Sequence, residues 1–376
     1  MRVDQLTLTG FRSYAALDVG LTDGPQVIVG DNAAGKTNLI EAIVVLARGS
    51  SHRSTGDTEL IRWGDPFARA EAGIGHGPGR GLDRIEVTLE RTGAGSTRKR
   101  LRVDGVPRRA AALADALRIV LFAPEEMLLV VGPPALRRAA VDALATARSP
   151  SYARAMATYG RALQQRNGLL RRIREGEAAP HELPYWDDIV IEEGGSIVAE
   201  RLVLLSDLAP VLAASHAEIA PTEPPLRLRY VTNAPTEPTE RPADALRRRL
   251  AETAEKELWN GATLVGPHRD DLAFELDGRD LAGFASRGQQ RTAILAYKLA
   301  QLDLLTKVAG QPPLLLLDDV FSELDPDRRA HLVRRIGALP QAFVTTTTLA
   351  DLDPALVAAS TAWVVTPGSL ARADAP

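Results

Sequence analysis

The residues Gly30-Asp31-Asn32-Ala33-Ala34-Gly35-Lys36-Thr37 follow the apolar run Val27-Ile28-Val29 at once, and they match the phosphate-cradling pattern G-x-x-x-x-G-K-[ST]. A nucleoside triphosphate carries more negative charge than any one side chain neutralises, so the main chain must do most of the binding. Gly30 and Gly35 let the backbone take conformations closed to larger residues, which points successive amides of Asp31, Asn32, Ala33 and Ala34 inward. The helix that starts near Lys36 aims its positive end at the same place. Lys36 then reaches the β- and γ-phosphates as a point charge, and the Thr37 hydroxyl serves Mg²⁺. The implied ligands are ATP and Mg²⁺.

Magnesium also needs a carboxylate from a neighbouring strand, since it prefers hard oxygen donors and keeps several waters. Leu314 to Leu317 are a second apolar run, and it ends in Asp318-Asp319. Asp318 fits the metal, and Asp319 stands where a carboxylate orients or deprotonates the attacking water. Most ATPases of this build use the longer Glu there, so an Asp points to slow turnover.

The distance between the two motifs sorts the phosphate-loop classes. More than half the chain intervenes, whereas helicase-like and AAA-type modules place the acidic strand close to the loop; a GTPase would show N-K-x-D, and none is present. Shortly before the acidic strand stands Ser286-Arg287-Gly288-Gln289-Gln290, opening a helix whose apolar stripe is Ile294, Leu295, Tyr297, Leu299, Leu302 and Leu305. In ATP-binding-cassette heads such a signature caps the γ-phosphate held by a second subunit, with Ser286, Gly288 and Gln289 at the helix's positive end. Taken alone the motif also describes an ordinary capped helix. Its place before an acidic strand gives it meaning, and an ATP-dependent homodimer follows.

These residues resemble the RecF family, bacterial DNA replication and gap-repair ATPases related to the heads of SMC and Rad50 proteins. The resemblance runs nearly end to end, through Leu6-Thr7-Leu8-Thr9-Gly10-Phe11-Arg12-Ser13-Tyr14, Phe122-Ala123-Pro124-Glu125-Glu126, Gly132-Pro133-Pro134 with Arg137-Arg138, and Trp186-Asp187. It continues through Gly266-Pro267-His268-Arg269-Asp270-Asp271, the signature followed by Arg291, and Leu317-Asp318-Asp319-Val320-Phe321-Ser322-Glu323-Leu324-Asp325. It implies a weak, DNA-dependent ATPase acting at single-strand gaps or stalled forks, with RecR and RecO as helpers in loading RecA. By the same resemblance Arg12 also contacts the nucleotide.

The fold that must position these groups is α/β: a phosphate-loop head of the cassette type, with a mixed sheet, helices and an antiparallel β lobe, carrying an inserted, mostly helical arm domain. Residues 1–130 are expected to form the head's N-terminal lobe, 131–256 the arm and 257–376 the C-terminal lobe. Strands are expected at Arg2 to Thr9, Gln26 to Val29, Ile119 to Phe122, Leu314 to Leu317, Ala342 to Thr345 and Trp363 to Val365. An antiparallel pair places Ile85-Val87-Leu89 against Leu101-Val103, turning through Thr92-Gly93-Ala94-Gly95-Ser96. Tyr152, Met156, Tyr159, Leu163, Leu170 and Ile173 recur at helical spacing, and a second helical stretch from Trp186 to His216 is softened by Gly194-Gly195 and Pro210. Pro221 to Pro242 is a loop or hairpin, not core. Sustained heptads are missing, against a full SMC or Rad50 coiled coil.

Composition agrees: 376 residues, 45% hydrophobic and 25% charged, are enough for a large core and two domains. No cysteine occurs, which excludes disulfide staples and thiolate ligands. No signal peptide or membrane span is evident, so a cytoplasmic address is expected. Net charge is only −3, so DNA affinity must come from a local patch. Basic clusters occur at Arg98 to Arg102, Arg108-Arg109, Arg137-Arg138, Arg166 with Arg171-Arg172-Arg174, and Arg247 to Arg249, each also readable as a solvated face paired with local Glu. Arg98, Arg100 and Arg102 share one face of a strand and form the best row for DNA phosphates. His268 reads as a structural partner in its loop.

Two departures from transporter cassettes stand out. No Gln lies between Gln26 and Gln164, and Thr345 to Thr348 occupy the place of the switch histidine, where one hydroxyl could meet the γ-phosphate. The main alternative is a cassette ATPase subunit of a transporter or of another SMC/Rad50-like complex, and both departures disfavour the transporter. A nucleotide-metabolising kinase is the other class, and such enzymes are usually shorter and lack a signature helix.

Overall fold

The computed structural model describes residues 1–54, 56–75, 82–93 and 95–373. It separates into two compact units, one of residues 1–127 with 294–376 and one of residues 128–293.

Two six-stranded sheets build the first unit. One runs Ser369–Arg372, Thr361–Thr366, Gly24–Val29, Gln341–Thr346, Leu314–Leu317, Ile119–Phe122, and all its pairings are parallel except that of its first strand. The other is antiparallel, ordered Tyr14–Gly20, Arg2–Phe11, Phe67–Gly75, Leu82–Arg91, Thr97–Val103, Val106–Pro107. The expected pairing of Ile85 with Val103 and Val87 with Leu101 is present; of its turn, Ala94 lies outside the described residues.

The helix Lys36–Arg48 packs on strands of both sheets, which explains its sequence. The apolar stripe Leu39, Ile40, Ile43 and Leu46 belongs to a wider buried surface that includes Ala42, Val44, Val45 and Ala47, because a helix covered on two sides is apolar nearly all round. Across from it the strand Phe67–Gly75 presents Ala68, Ala70 and Ala72, small residues that let the helix approach closely. That strand was not anticipated, since its Ala- and Gly-rich sequence carries little β-propensity.

The second unit is mostly helical, with Pro134–Arg148, Pro150–Arg174, Pro184–Ile219 and Pro242–Asn260. Pro184–Ile219 is one helix of 36 residues, about 54 Å long. Gly194-Gly195 and Pro210 do not interrupt it. A Cβ on Gly195 would lie 2.6 Å from that of Ala243, so the glycine is there to let the start of Pro242–Asn260 come close.

A three-stranded antiparallel sheet, Arg279–Asp280, Asp271–Leu276, Leu226–Val231, completes this unit. It has two consequences for the expected layout. The Pro-rich stretch from Pro221 to Pro242 contains a strand, and the chain does not rejoin the first unit at 257: residues 257–293 stay with the second because Asp271–Leu276 pairs along its whole length with Leu226–Val231.

The motif Gly266 to Asp271 is the hub of that packing. Arg201, 1% exposed, forks onto Asp142 and donates to the Pro267 carbonyl at 2.9 Å and to Tyr230 Oη at 3.1 Å. Tyr230 in turn donates to Asp270 at 2.6 Å. His268 Nδ1 meets Tyr159 Oη at 2.6 Å, and burial pushes its pKa down to about 4, so it is a neutral structural partner at neutral pH. Among the described residues no helix is long and apolar enough to cross a membrane.

Candidate nucleotide site

The phosphate loop connects Gly24–Val29 to Lys36–Arg48 at the carboxyl end of the parallel sheet, the edge where open α/β sheets bind ligands. Its two glycines are needed for different reasons. Gly35 sits at φ +117°, closed to other residues, whereas Gly30 has no positive φ and is required for space, since its Cβ would stand 2.5 Å from the Val365 carbonyl oxygen. Ala33 takes the left-handed region at φ +65°, which the sequence did not signal. Gly35 is the N-cap of the helix and brings no side chain to the first-turn amides, so these remain for an anion.

Lys36, 7% exposed, donates to the carbonyls of Gly30 at 2.6 Å and Asp31 at 3.0 Å, curling over its own loop. Thr37 Oγ1 donates to Asp318 Oδ1 at 3.2 Å, across 281 positions of sequence. The strand that bears Asp318 is not the loop strand's immediate neighbour, as the sequence suggested, because Gln341–Thr346 lies between them. Asp318 also accepts from Thr345 Oγ1 at 2.7 Å. Both hydroxyls go to one carboxylate oxygen, and among the described residues no donor reaches the other. Burial raises the Asp318 pKa, against the opposing pull of the two hydroxyls.

Asp319 is left-handed at φ +52°, with its amide donating to Thr345 Oγ1 at 2.9 Å and its carbonyl accepting from Ser322. A cavity of about 220 Å³ is lined by Asn32, Ala33, Gly35, Lys36, Thr37, Asn38, Arg53, Asp318 and Asp319, all in the first unit. Its donor set fits a Mg²⁺-bound triphosphate: two cations, uncapped amides, and a buried carboxylate with one oxygen left over beside a hydroxyl.

Arg53 was not singled out in the sequence. It comes from the polar loop after the helix and stands 3.8 Å from Glu41 and 3.9 Å from Glu125, long contacts that leave its charge turned to the cavity it lines. Arg12, by contrast, does not line the cavity. Its Nε and Nη2 fork onto Glu41 at 2.8 and 2.7 Å, Nη1 donates to the Glu59 carbonyl, and Nη2 also meets Ser54. Glu41 is wholly buried one turn along the helix from Thr37. Burial raises its pKa, but Arg12, Ser51 and Arg53 outweigh that and hold it below the usual carboxylate value.

Of the four threonines in place of a switch histidine, Thr345 is committed to the aspartates and Thr346 to the Thr348 carbonyl, while Thr347 is exposed. Ser286 and Gln289 form a reciprocal capping pair: Gln289 N donates to Ser286 Oγ at 3.2 Å, and Ser286 N to Gln289 Oε1 at 3.1 Å. Ser286 is exposed and Gly288 half-buried at the start of Arg287–Ala309, a helix whose first turns belong to the second unit and whose remainder belongs to the first.

The basic clusters sort themselves by partner. Arg100 pairs with Glu90 at 2.9 Å and Arg102 with Glu86 at 3.4 Å, whereas Arg98 is exposed and makes no ion pair among the described residues. Arg137 forks onto Asp271 at 2.8 Å, and Arg138 donates to the Asp270 carbonyl. Arg166 is buried against Asp187 at 2.6 Å and Glu257 at 2.7 Å, so it is core and not surface. Arg247, Arg248 and Arg249 each meet a carboxylate.

Comparison with known proteins agrees with this geometry. The family described as RecF/RecN/SMC N terminal domain matches residues 2–359. The DNA replication and repair protein RecF of Heliobacterium modesticaldum is 36% identical over 100% of both chains, and that of Chloroflexus aggregans is 39% identical over 98% of this chain and 99% of its own. A solved structure of the recombination mediator protein RecF with ATPrS in the RecFOR pathway superposes with a TM-score of 0.90 at 27% identity, covering 99% of this chain and 98% of that one. An SMC head from Pyrococcus furiosus, at TM-score 0.55 and 15% identity over 99% of this chain and 95% of its own, shares the fold.

Proposed function

This chain belongs to the RecF family of DNA replication and repair proteins, within the wider RecF/RecN/SMC group, and we propose that it works there as an ATP-operated dimerising switch that holds DNA. The observation that carries the nucleotide half of this reading is the 3.2 Å contact of Thr37 with Asp318, which joins the two sequence motifs in one cavity. The signature supports the other half: Ser286 and Gly288 open a capped, accessible helix start, as a group that seals a second copy's nucleotide must.

In this mechanism Lys36 exchanges the carbonyls of Gly30 and Asp31 for the β- and γ-phosphates, and the first-turn amides of its helix complete the cradle. Thr37 and Asp318 are the residues that would hold Mg²⁺, which would supply positive charge to offset that of the triphosphate. Ser286, Gly288 and Gln289 of a second copy close over the γ-phosphate. Asp319 receives a proton from the attacking water, and its short side chain keeps turnover slow. Arg12 serves the site from behind by fixing Glu41, and Arg53 supplies the cavity's second cation.

The paired molecules then grip DNA through backbone phosphates, with Arg98 the least committed member of the row Arg98, Arg100, Arg102. Single-strand gaps and stalled forks are the proposed sites of action, the cytoplasm the proposed location, and RecO, RecR and RecA the proposed partners. A transporter subunit is not favoured, since the chain matches RecF proteins along its whole length.

ATPase assays on gapped, duplex and single-stranded DNA at rising salt test the DNA half. The expected result is stimulation that falls steeply with salt, and a smaller salt slope, by about 1, in Arg98→Ala. Turnover indifferent to every DNA, with Lys36→Ala still inactive, would leave an ATPase but remove the DNA switch.

A further inference from the structure

Gln341–Thr346 lies between the strand that feeds the phosphate loop and the strand that ends in the tandem aspartates. Its parallel registers set Val344 beside Leu317 on one side and Thr345 beside Ile28 on the other, so Thr345 arrives level with Asp318. Thr345 is completely buried. A threonine hydroxyl has one proton to give and lone pairs to receive, and here both functions are used. The proton goes to Asp318 Oδ1 at 2.7 Å, and the oxygen accepts the Asp319 amide at 2.9 Å.

Each bond fixes something the chemistry needs. The first turns one oxygen of Asp318 inward, where Thr37 also meets it, and leaves the other without a donor among the described residues. The second ties down the backbone of an aspartate in the left-handed region, φ +52°, a conformation Asp adopts more readily than most residues with a Cβ, and so fixes the turn from which its side chain projects. We propose that Thr345 is the positioning residue of hydrolysis, a single hydroxyl that aims Asp318 at the cation and Asp319 at the attacking water. It does not touch substrate. The proposal rests on the ATPase reading above and assigns the strand Gln341–Thr346 a role beyond the motifs that define the site.

The test compares Thr345→Val, which keeps shape and removes both bonds, with Thr345→Ser, which keeps the hydroxyl; Thr345→Ala stands in for the valine variant if that one fails to fold. Without nucleotide, amide exchange at Asp319 should rise by about tenfold or more in Thr345→Val and match wild type in Thr345→Ser. Equilibrium binding of a non-hydrolysable ATP analogue, titrated with Mg²⁺, should need about 10–100-fold more metal in Thr345→Val, as removal of a residue behind a metal ligand does elsewhere. Affinity for the analogue without metal should not change. In turnover, kcat should fall with little change in KM.

Wild-type exchange at Asp319 together with wild-type metal dependence in Thr345→Val would overturn the proposal, and so would a serine variant as defective as the valine one. Either result leaves nucleotide binding by the wild-type protein intact. Failure of the ATPase reading would look different, as absence of metal-dependent analogue binding in the wild type itself.

Discussion

Replacing Arg12 with alanine should destabilise the first unit by about 3 kcal/mol while leaving ATP affinity nearly unchanged. The magnitude follows from Glu41, whose side chain is 0% exposed and whose two oxygens take the Arg12 fork at 2.7 and 2.8 Å. Truncating one partner of a buried pair costs about 3–5 kcal/mol, because it strands the other charge away from water. Ser51 remains as a donor and Arg53 stands 3.8 Å away, which places this case at the low end.

Glu41→Gln alone removes the charge and should cost less. In the double variant the loss should fall short of the sum by about 2 kcal/mol, the signature of a direct pair. Urea unfolding without nucleotide at pH 7.5, followed by Trp363 in the core of the first unit, measures each term. The sign with pH is fixed. The folded-state pKa of Glu41 lies below its ordinary 4.5, so the pair's contribution is present above that value and is lost as pH falls through the folded value. An Arg12→Ala loss under 1 kcal/mol, or strict additivity with Glu41→Gln, would refute the reasoning; a large loss of ATP affinity at unchanged stability would put Arg12 on the nucleotide instead.

Gly30→Ala should cost nucleotide affinity, because its methyl would meet the Val365 carbonyl at 2.5 Å; Gly35→Ala should destabilise by about 1–3 kcal/mol through its φ of +117°, and calorimetric binding and melting read the two. Asp318→Asn should abolish turnover yet raise the melting temperature of the nucleotide-free protein, since it relieves a buried carboxylate whose pKa is raised and which therefore opposes folding at neutral pH. Arg166→Ala should destabilise by about 3–5 kcal/mol in urea unfolding, with no specific change in the salt dependence of DNA binding, as expected of a buried ion pair and not of a phosphate contact.

What could be read in the sequence was what chemistry writes locally. The phosphate loop needs two glycines, a lysine and a threonine in fixed order, and Asp318-Asp319 follow an unbroken apolar strand, so both were legible without the fold. The Arg98 row was legible as a strand face. Pairing with nearby Glu was legible only in general; that Glu90 takes Arg100 and Glu86 takes Arg102 while Arg98 stays unpaired among the described residues follows from register with the partner strand.

Arg53 goes unread in the sequence, and Thr345 is read there only as one of four threonines able to meet the γ-phosphate, for a related reason. Each reaches the site across the fold, from a polar loop and from the strand between two motifs, and neither type at that position demands a ligand. Resemblance points Arg12 at the nucleotide, while its geometry commits it to Glu41. The late boundary at Ala293 depended on the pairing of Leu226–Val231 with Asp271–Leu276, a contact that the Pro-rich stretch around the first strand concealed.

The most direct measurement mixes two inactive chains. Lys36→Ala lacks a working phosphate loop, and Ser286→Arg lacks a working signature. If each nucleotide is held by one molecule's loop and sealed by the other's signature, a mixed dimer carries both defects in one site and none in the second. With random pairing, an equal mixture should then recover about a quarter of wild-type ATPase activity. No recovery, from two variants that still associate with each other, would contradict the shared site and the switch built on it.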